Sequence, residues 1–244
     1  MRSYDNTYRV FDIIHEDAEL LVINKPAGLV CHPTKADIYS SLISRLRLYL
    51  EAAKPHLINR LDRETSGVVL VAKDDRAARE LRRIWESRGV RKEYLAIVHG
   101  HVRAEHGVID LPLGKDPHSA VAIKDWVRAD GASSQTEFCV IRRFTRSEGN
   151  FTSLRVAPRT GRKHQIRIHL AHGGHPIVGD KLYGGDENLY LDFVKGRLTA
   201  EQHRRLMLPN QALHAACLRF VWRDQEWLFE AEPESWFAQF AGAK

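Results

Sequence analysis

The sequence predicts an α+β fold with a mainly antiparallel mixed sheet flanked by helices, and three observations carry the expectation. Short apolar stretches of strand length outnumber stretches with helical period. The two kinds do not alternate regularly, as a doubly wound sheet would require. No repeat, low-complexity tract or Pro/Gly/Ser-rich linker divides the 244 residues, so one domain over 1–244 is expected.

Taken in order, Val10–His15 and Leu20–Asn24 read as short strands, followed by the turn Lys25-Pro26-Ala27-Gly28. Tyr39, Leu42, Ile43, Leu46, Tyr49 and Leu50 fall at helical spacing, with Pro55 past the end. Gly67–Ala72 is a valine-rich strand. Ala77, Leu81, Ile84 and Trp85 form the apolar stripe of a helix that Asp74 or Asp75 can cap and Gly89 ends. Tyr94–His99, Gln135–Arg142 and Phe151–Val156 continue the strands, and His164–His172 reads as a short helix stopped by Gly173-Gly174. A helix over Glu187–Leu206 and the strands Leu213–Trp222 and Trp227–Ala231 close the chain.

Composition excludes several classes. Hydrophobic residues at 43% and charged residues at 28% are those of an ordinary globular chain, neither disordered nor fibrous. The apolar runs, of which Val68–Ala72 is the longest, fall far short of the ~18 residues of a membrane span, and the first twenty residues mix charges throughout. Cys31, Cys139 and Cys217 stand far apart, which excludes a disulfide framework and a cysteine-rich zinc site. A cytoplasmic, monomeric protein without membrane or metal partners is the expectation. The net charge is +6, and its distribution says more than its size. From Arg142 to Leu170 eight Lys/Arg stand against one acid, Glu148, and Arg76 to Lys92 adds seven basic residues against Glu80 and Glu86. Such concentration is the footprint of a polyanion partner.

Nucleotide-binding, zincin and serine-hydrolase motifs are absent. His164, His169, His172 and His175 cluster, but the double glycine breaks the helix that would align them, and surface or structural histidines are expected rather than metal ligands. Residues Asn59-Arg60-Leu61-Asp62-Arg63-Glu64-Thr65-Ser66-Gly67 are different: a polar, turn-forming stretch immediately before a strand that reads as buried. Extended backbone over Arg60–Asp62 would send Arg60 and Asp62 to one side and Leu61 into the core.

Here a family resemblance enters. Arg60–Gly67 closely resembles the HRLDxxTSG signature of the RluA-type pseudouridine synthases, with Asn59 standing where relatives commonly have histidine. Arg91–Ala96 resembles the family's [RK]KxYLA strand, and Thr160–His169 resembles its TGRxHQIRxH motif, continued by His175–Asp180 and Tyr183-Gly184. Asn24–Gly28 matches as well. The resemblance covers roughly residues 10–232, without the small N-terminal RNA-binding domain that many relatives carry, and this tilts the expected substrate towards tRNA or dual specificity.

The resemblance implies the pseudouridine synthase fold, with its active-site cleft across the sheet, and isomerisation of uridine in tRNA or large-subunit rRNA with neither cofactor nor metal. It implies catalytic roles for Asp62 as the essential carboxylate, Tyr94 as the residue stacking on the flipped base, and Arg162 as the cation beside Asp62. Arg60 would fill the gap left by the flipped nucleotide. Ile166 and Leu170 would supply the apolar pocket wall, or else core packing alone. Arg63, Lys92, Arg142, Arg143, Arg159, Lys163, His164, Gln165 and Arg167 complete the expected RNA-binding set. The alternative from another class is a non-catalytic RNA-binding or RNA-chaperone protein on the same fold.

Overall fold

A hairpin opens the fold. Strand β1 (Asp12–Glu16) pairs antiparallel with β2 (Leu20–Lys25), Asp12 opposite Asn24. Asp17 shapes the turn by accepting from the backbone N–H groups of Glu19 and Leu20. Helix α1 (Leu42–Leu50) is capped by Ser41 and buries Leu42, Ile43 and Leu46. The structure, a computed structural model, describes residues 10–33, 41–51 and 54–242. Tyr39, expected on α1, lies outside them.

The two-residue strand β3 (His56–Leu57) and β2 both pair antiparallel with β4 (Ser66–Ala72), and they share Val71 and Ala72 as partners, so they occupy its two edges. Every residue of β4 is buried. Helix α2 (Asp75–Glu86) follows, with Asp74 as its cap through bonds from the N–H groups of Arg76 and Ala77. Ala77, Ala78 and Leu81 of α2 join Val68, Leu70 and Ala72 of β4 in one apolar cluster. Arg79, Arg82 and Arg83 lie on the opposite, exposed face.

Two compact units divide the chain, Met1–Lys92 with Ala215–Glu234, and Glu93–His214 with Ser235–Lys244. Strand β5 (Val90–His99) begins in the first and belongs to the second from Glu93 onward. The second unit holds β6 (His106–Asp110), a separate ribbon of β7 (Leu113–Lys115) and β8 (Asp125–Val127), and the long hairpin β9 (Gln135–Arg146) and β10 (Gly149–Pro158). Its sheet runs β5-β10-β9-β6, antiparallel throughout. Helix α3 (Gln165–His172) follows β10 and is buried over its first six residues. Ile166 and Leu170 pack with Ala96, Ile97, Leu154 and Val156 in the core.

One helix was expected over Glu187–Leu206; there are two, α4 (Asn188–Val194) and α5 (Ala200–Leu206). Gly196 at φ 66 ends the first, and a capping box between Thr199 and Gln202 starts the second. Strand β11 (Leu213–Trp222) returns to the first unit, pairs with β12 (Gln225–Glu230), and completes a sheet ordered β1-β2-β4-β11 there. A last helix, α6 (Ser235–Ala241), buries Phe237 and Phe240 in the core of the second unit. Beyond the expected elements stand β3, the edge strand β6, the β7–β8 ribbon and α6. The α+β class and the antiparallel pairing stand.

Candidate active site

The Arg60–Gly67 stretch leaves the sheet by a definite device. Backbone pairing along β4 runs through His56 and Leu57, and Ile58 N–H adds one further bond, to Leu70 O at 2.9 Å. At Asn59 the side chain takes over from the backbone. Its Oδ1 accepts from Leu70 N–H at 2.8 Å, and its Nδ2 donates to Val68 O at 3.0 Å. The amide thus occupies the next two hydrogen-bonding groups that β4 offers along the β3 side. The main chain is then free to turn away, with Arg60 exposed, Leu61 buried and Asp62 half-buried, as alternation requires. Thr65 N–H donates to Asp62 O at 3.1 Å and closes the turn. Gly67, at φ 116, returns the chain to β4 where a Cβ would stand 2.2 Å from Ala215 O, so no other residue fits.

The Lys25–Gly28 turn locks this loop from the other side. Gly28 N–H donates to Arg63 O at 2.8 Å, and Arg63 Nε donates to Gly28 O at 3.2 Å. Lys25 is fully buried, and its ammonium donates to the carbonyls of Pro26, Leu29 and Arg63 at 2.8, 2.9 and 3.3 Å. Burial pushes its pKa down to about 8, while the carboxylates of Glu234 and Asp62 work the other way. Cys31 Sγ–H reaches Leu61 O at 3.3 Å. Sequence reading matched Lys25 to a motif but gave it no task. The available signal was a lysine ending the apolar strand Leu20–Asn24.

In the second unit, Tyr94 lies on β5 opposite Val156 and packs, half-buried, against the cluster that holds Ile166 and Leu170. Both of these are core residues, at 6% and 3% exposure. Arg162 is exposed in the turn between β10 and α3, with its Nε donating to Ser133 O at 3.2 Å.

Two of the expected RNA contacts are corrected. Arg167 is buried, and its guanidinium forms a two-pronged bond with the fully buried Asp180 at 2.7 and 2.8 Å. Burial works against the Asp180 carboxylate, but Arg167 and the N–H groups of Leu182 and Tyr183 hold its pKa below the usual carboxylate range. Gln165 is also buried, and its amide bonds only to residues inside the fold.

The remaining basic residues are at or near the surface. Arg142 is exposed, 5.0 Å from the Phe144 ring. Arg143 spends its guanidinium on Val102 O, Arg103 O and Glu105, where it shapes the loop before β6. Arg159 forks onto Glu137 at 2.7 Å twice, and Lys163 pairs with Asp125 at 2.9 Å. His164 adopts a left-handed conformation at φ 55 and bonds Tyr183 Oη at 2.9 Å. Lys92 lies over the Trp85 ring at 5.6 Å, its pKa lowered by burial and then by Arg88. His169 is a buried structural histidine bonded to Thr136 and Leu111, and His175 bonds His99 O. Among the described residues no group of three His, Cys, Asp or Glu could hold a metal ion, and no helix is long and apolar enough to cross a membrane.

These motifs, on two mainly antiparallel units with flanking helices, define the pseudouridine synthase class of fold. A solved human structure, RNA Pseudouridylate Synthase Domain Containing 4, superposes with a TM-score of 0.73 at 26% identity, over 95% of this chain and 92% of that one. The family model described as RNA pseudouridylate synthase matches residues 19–172. An RNA pseudouridine synthase named RluA, dual-specificity, from Vibrio parahaemolyticus is 40% identical over 223 residues, 89% of this chain and 80% of its own length. An uncharacterized RNA pseudouridine synthase of Aquifex aeolicus is 37% identical over 71% of this chain, and the ribosomal large subunit pseudouridine synthase D of Haemophilus ducreyi is 34% identical over 85%. The chain belongs to the RNA pseudouridylate synthase family, and within it to the RluA type. It spans 56% of the Aquifex relative and 62% of the Haemophilus one, less than two thirds of either.

Proposed function

We propose that this chain isomerises uridine to pseudouridine in RNA, with Asp62 as the reacting carboxylate and Tyr94 and Arg162 serving the same reaction. The observation that carries the reading is Asp62 on a loop locked by Asn59, Lys25 and Gly67, inside the family's signature. A rigid loop holding one carboxylate half in solvent suits a group that must meet a substrate in one geometry. The target nucleotide must leave its stack to be reached. The bond between ribose C1′ and uracil N1 breaks, the base turns, and C1′ joins C5; C5 loses its proton and N1 gains one. Asp62 acts on the ribose as nucleophile or as the base for the 2′ proton. Tyr94 lies flat against the freed base, and Arg60 takes its place in the stack.

The name of one relative, which acts on the ribosomal large subunit, supports large-subunit rRNA as a substrate class, and that of another, described as dual-specificity, supports a second RNA class, which we take to be tRNA. We place the protein in the cytoplasm as a monomeric single catalytic domain without a cofactor. The test is Asp62→Asn, which keeps the shape but can neither attack nor take a proton. Turnover on unmodified transcribed RNA should vanish while RNA affinity stays within about twofold; residual activity above about one per cent, or ~2.7 kcal/mol in the barrier, overturns the assignment.

A further inference from the structure

Glu234 lies just beyond the last strand of the first unit and reaches the turn that locks the Asp62 loop. Past β12, Asn24 Nδ2 donates to Glu232 O at 3.1 Å, and Ala27 N–H donates to Glu234 Oε2 at 3.1 Å. These two bonds fasten residues 232–234 along the Lys25–Gly28 turn. Pro233, between them, restricts its own backbone and that of Glu232, so the carboxylate is carried on a short, stiff segment.

The turn needs that charge for a physical reason. Lys25 is fully buried, yet the three groups its ammonium donates to, Pro26 O, Leu29 O and Arg63 O, are neutral. An ammonium with neutral partners alone is costly away from water, and a carboxylate nearby offsets the cost. Cys31 does not serve, because burial pushes its thiol up and leaves it uncharged. Arg63 carries a like charge, with its Nε on Gly28 O. Two carboxylates act on Lys25, Glu234 more strongly than Asp62. A charged ammonium has an N–H for each of the three carbonyls, whereas a neutral amine has only two. The bond to Arg63 O is the longest, at 3.3 Å, and it alone of the three crosses to the Asp62 loop, so it is the first to go when the proton leaves.

We infer that Glu234 is a positioning residue: its carboxylate is the counter-charge of the Lys25 ammonium, and through that ammonium it holds the turn against the loop that carries Asp62. The inference rests on the proposed role of Asp62. Without the Glu234 charge, Lys25 gives up its proton more readily and the bond across to Arg63 O loosens. Asp62 then samples more geometries, and the chemical step slows on the alkaline side with little effect on RNA affinity.

The test compares Glu234→Gln with the wild type across pH. Glutamine keeps an oxygen for Ala27 N–H and removes only the charge. Release of tritium from carbon 5 of uridine is followed in single turnover, with enzyme in excess over unmodified transcribed tRNA and large-subunit rRNA fragments. Lys25 is titrated in the same proteins by NMR of isotope-labelled lysine. The wild-type rate should fall as Lys25 loses its proton, at about pH 8. In Glu234→Gln both the titration and the fall should lie about half a pH unit or more lower, which makes the variant about threefold slower on the alkaline side and near wild type at about pH 6.5. RNA affinity should stay within about twofold. A titration or rate profile left unmoved, or equal slowing at every pH, overturns the inference, since a packing defect ignores the charge on Lys25. So does a wild-type rate that stays level while Lys25 titrates. If the wild type releases no tritium, or Asp62→Asn still does, the proposed function fails instead. Should Glu234→Gln lose its cooperative thermal transition, Glu234→Asp, which keeps the charge but draws it away from the turn, decides by the same pattern. If neither variant folds, Glu234 is a folding requirement and the inference is withdrawn.

Discussion

Asn59 shows how much one side chain can do. An amide places its oxygen and its N–H side by side, as a peptide group in a strand does, so it serves Leu70 N–H and Val68 O together. In an imidazole the two ring nitrogens point apart, and one straight bond is lost. Asn59→His should therefore cost about 1 kcal/mol of stability, with turnover near wild type. Asn59→Ala leaves both β4 groups without that partner; we expect about 2 kcal/mol lost by urea unfolding and turnover lowered about tenfold or less. A loss on the scale of Asp62→Asn would make Asn59 a participant in chemistry. Lys25 gives a prediction in pH. Its pKa is about 8 in the fold against 10.5 for an ordinary lysine. Between those values the unfolded chain keeps a proton that the folded chain has released, so the Lys25 contribution rises as pH climbs through the window. Lys25→Met should be less stable than wild type at pH near 7, and the gap should widen from about pH 8 to about pH 10. A gap that narrows would show that Lys25 is not buried as described.

At the scale of elements, α3 differs most from its sequence reading. Its cluster of Lys163, His164, Gln165 and Arg167 looks like a basic helix aimed at phosphates, yet six consecutive residues from Gln165 are buried. The reason lies 13 residues on. Asp180 is fully buried and requires a cation, and Arg167 can supply one only by turning inward. Arg167→Met should cost about 3–5 kcal/mol, because it leaves a buried carboxylate without its partner, and should leave the salt dependence of RNA affinity unchanged in whatever fraction folds. A flattened salt dependence with normal stability would return Arg167 to the RNA surface. Elements with strong periodicity, such as α2 and β4, were legible from the sequence because their own residues decide which face is buried. The short strands β6 to β8 were not, since His106–Asp110 alternates weakly and is held as an edge by β9. The break between α4 and α5 was legible in principle, in Gly196 and in Thr199 three residues before Gln202.

Over the whole molecule, charge is where sequence and structure diverge in an instructive way. Six of the eight basic residues between Arg142 and Leu170 have a carboxylate within ion-pair distance: Arg143, Arg146, Arg155, Arg159, Lys163 and Arg167, paired with Glu105, Glu148, Glu93, Glu137, Asp125 and Asp180. All but Glu148 come from outside that stretch, so its +7 does not reach solvent undiminished. The arginines facing outward on α2 and the exposed Arg142 are better placed to meet phosphate. RNA affinity should fall steeply with salt, and the double variant Arg82→Glu/Arg83→Glu should flatten the slope of log K against log salt by about 1–2, whereas Arg143→Glu should act first on stability. An unchanged slope in the α2 variant would remove that helix from the RNA surface. The sequence by itself determined the family, the α+β class, the loop that carries Asp62, and the alternation that sends Leu61 inward, because each is written in neighbouring residues. Which charges remain in solvent, which side of Gln165 is oxygen, and what holds Lys25 were decided by tertiary structure alone. Those outcomes depend on partners far away in the chain, and a buried polar group is defined by the partner it finds.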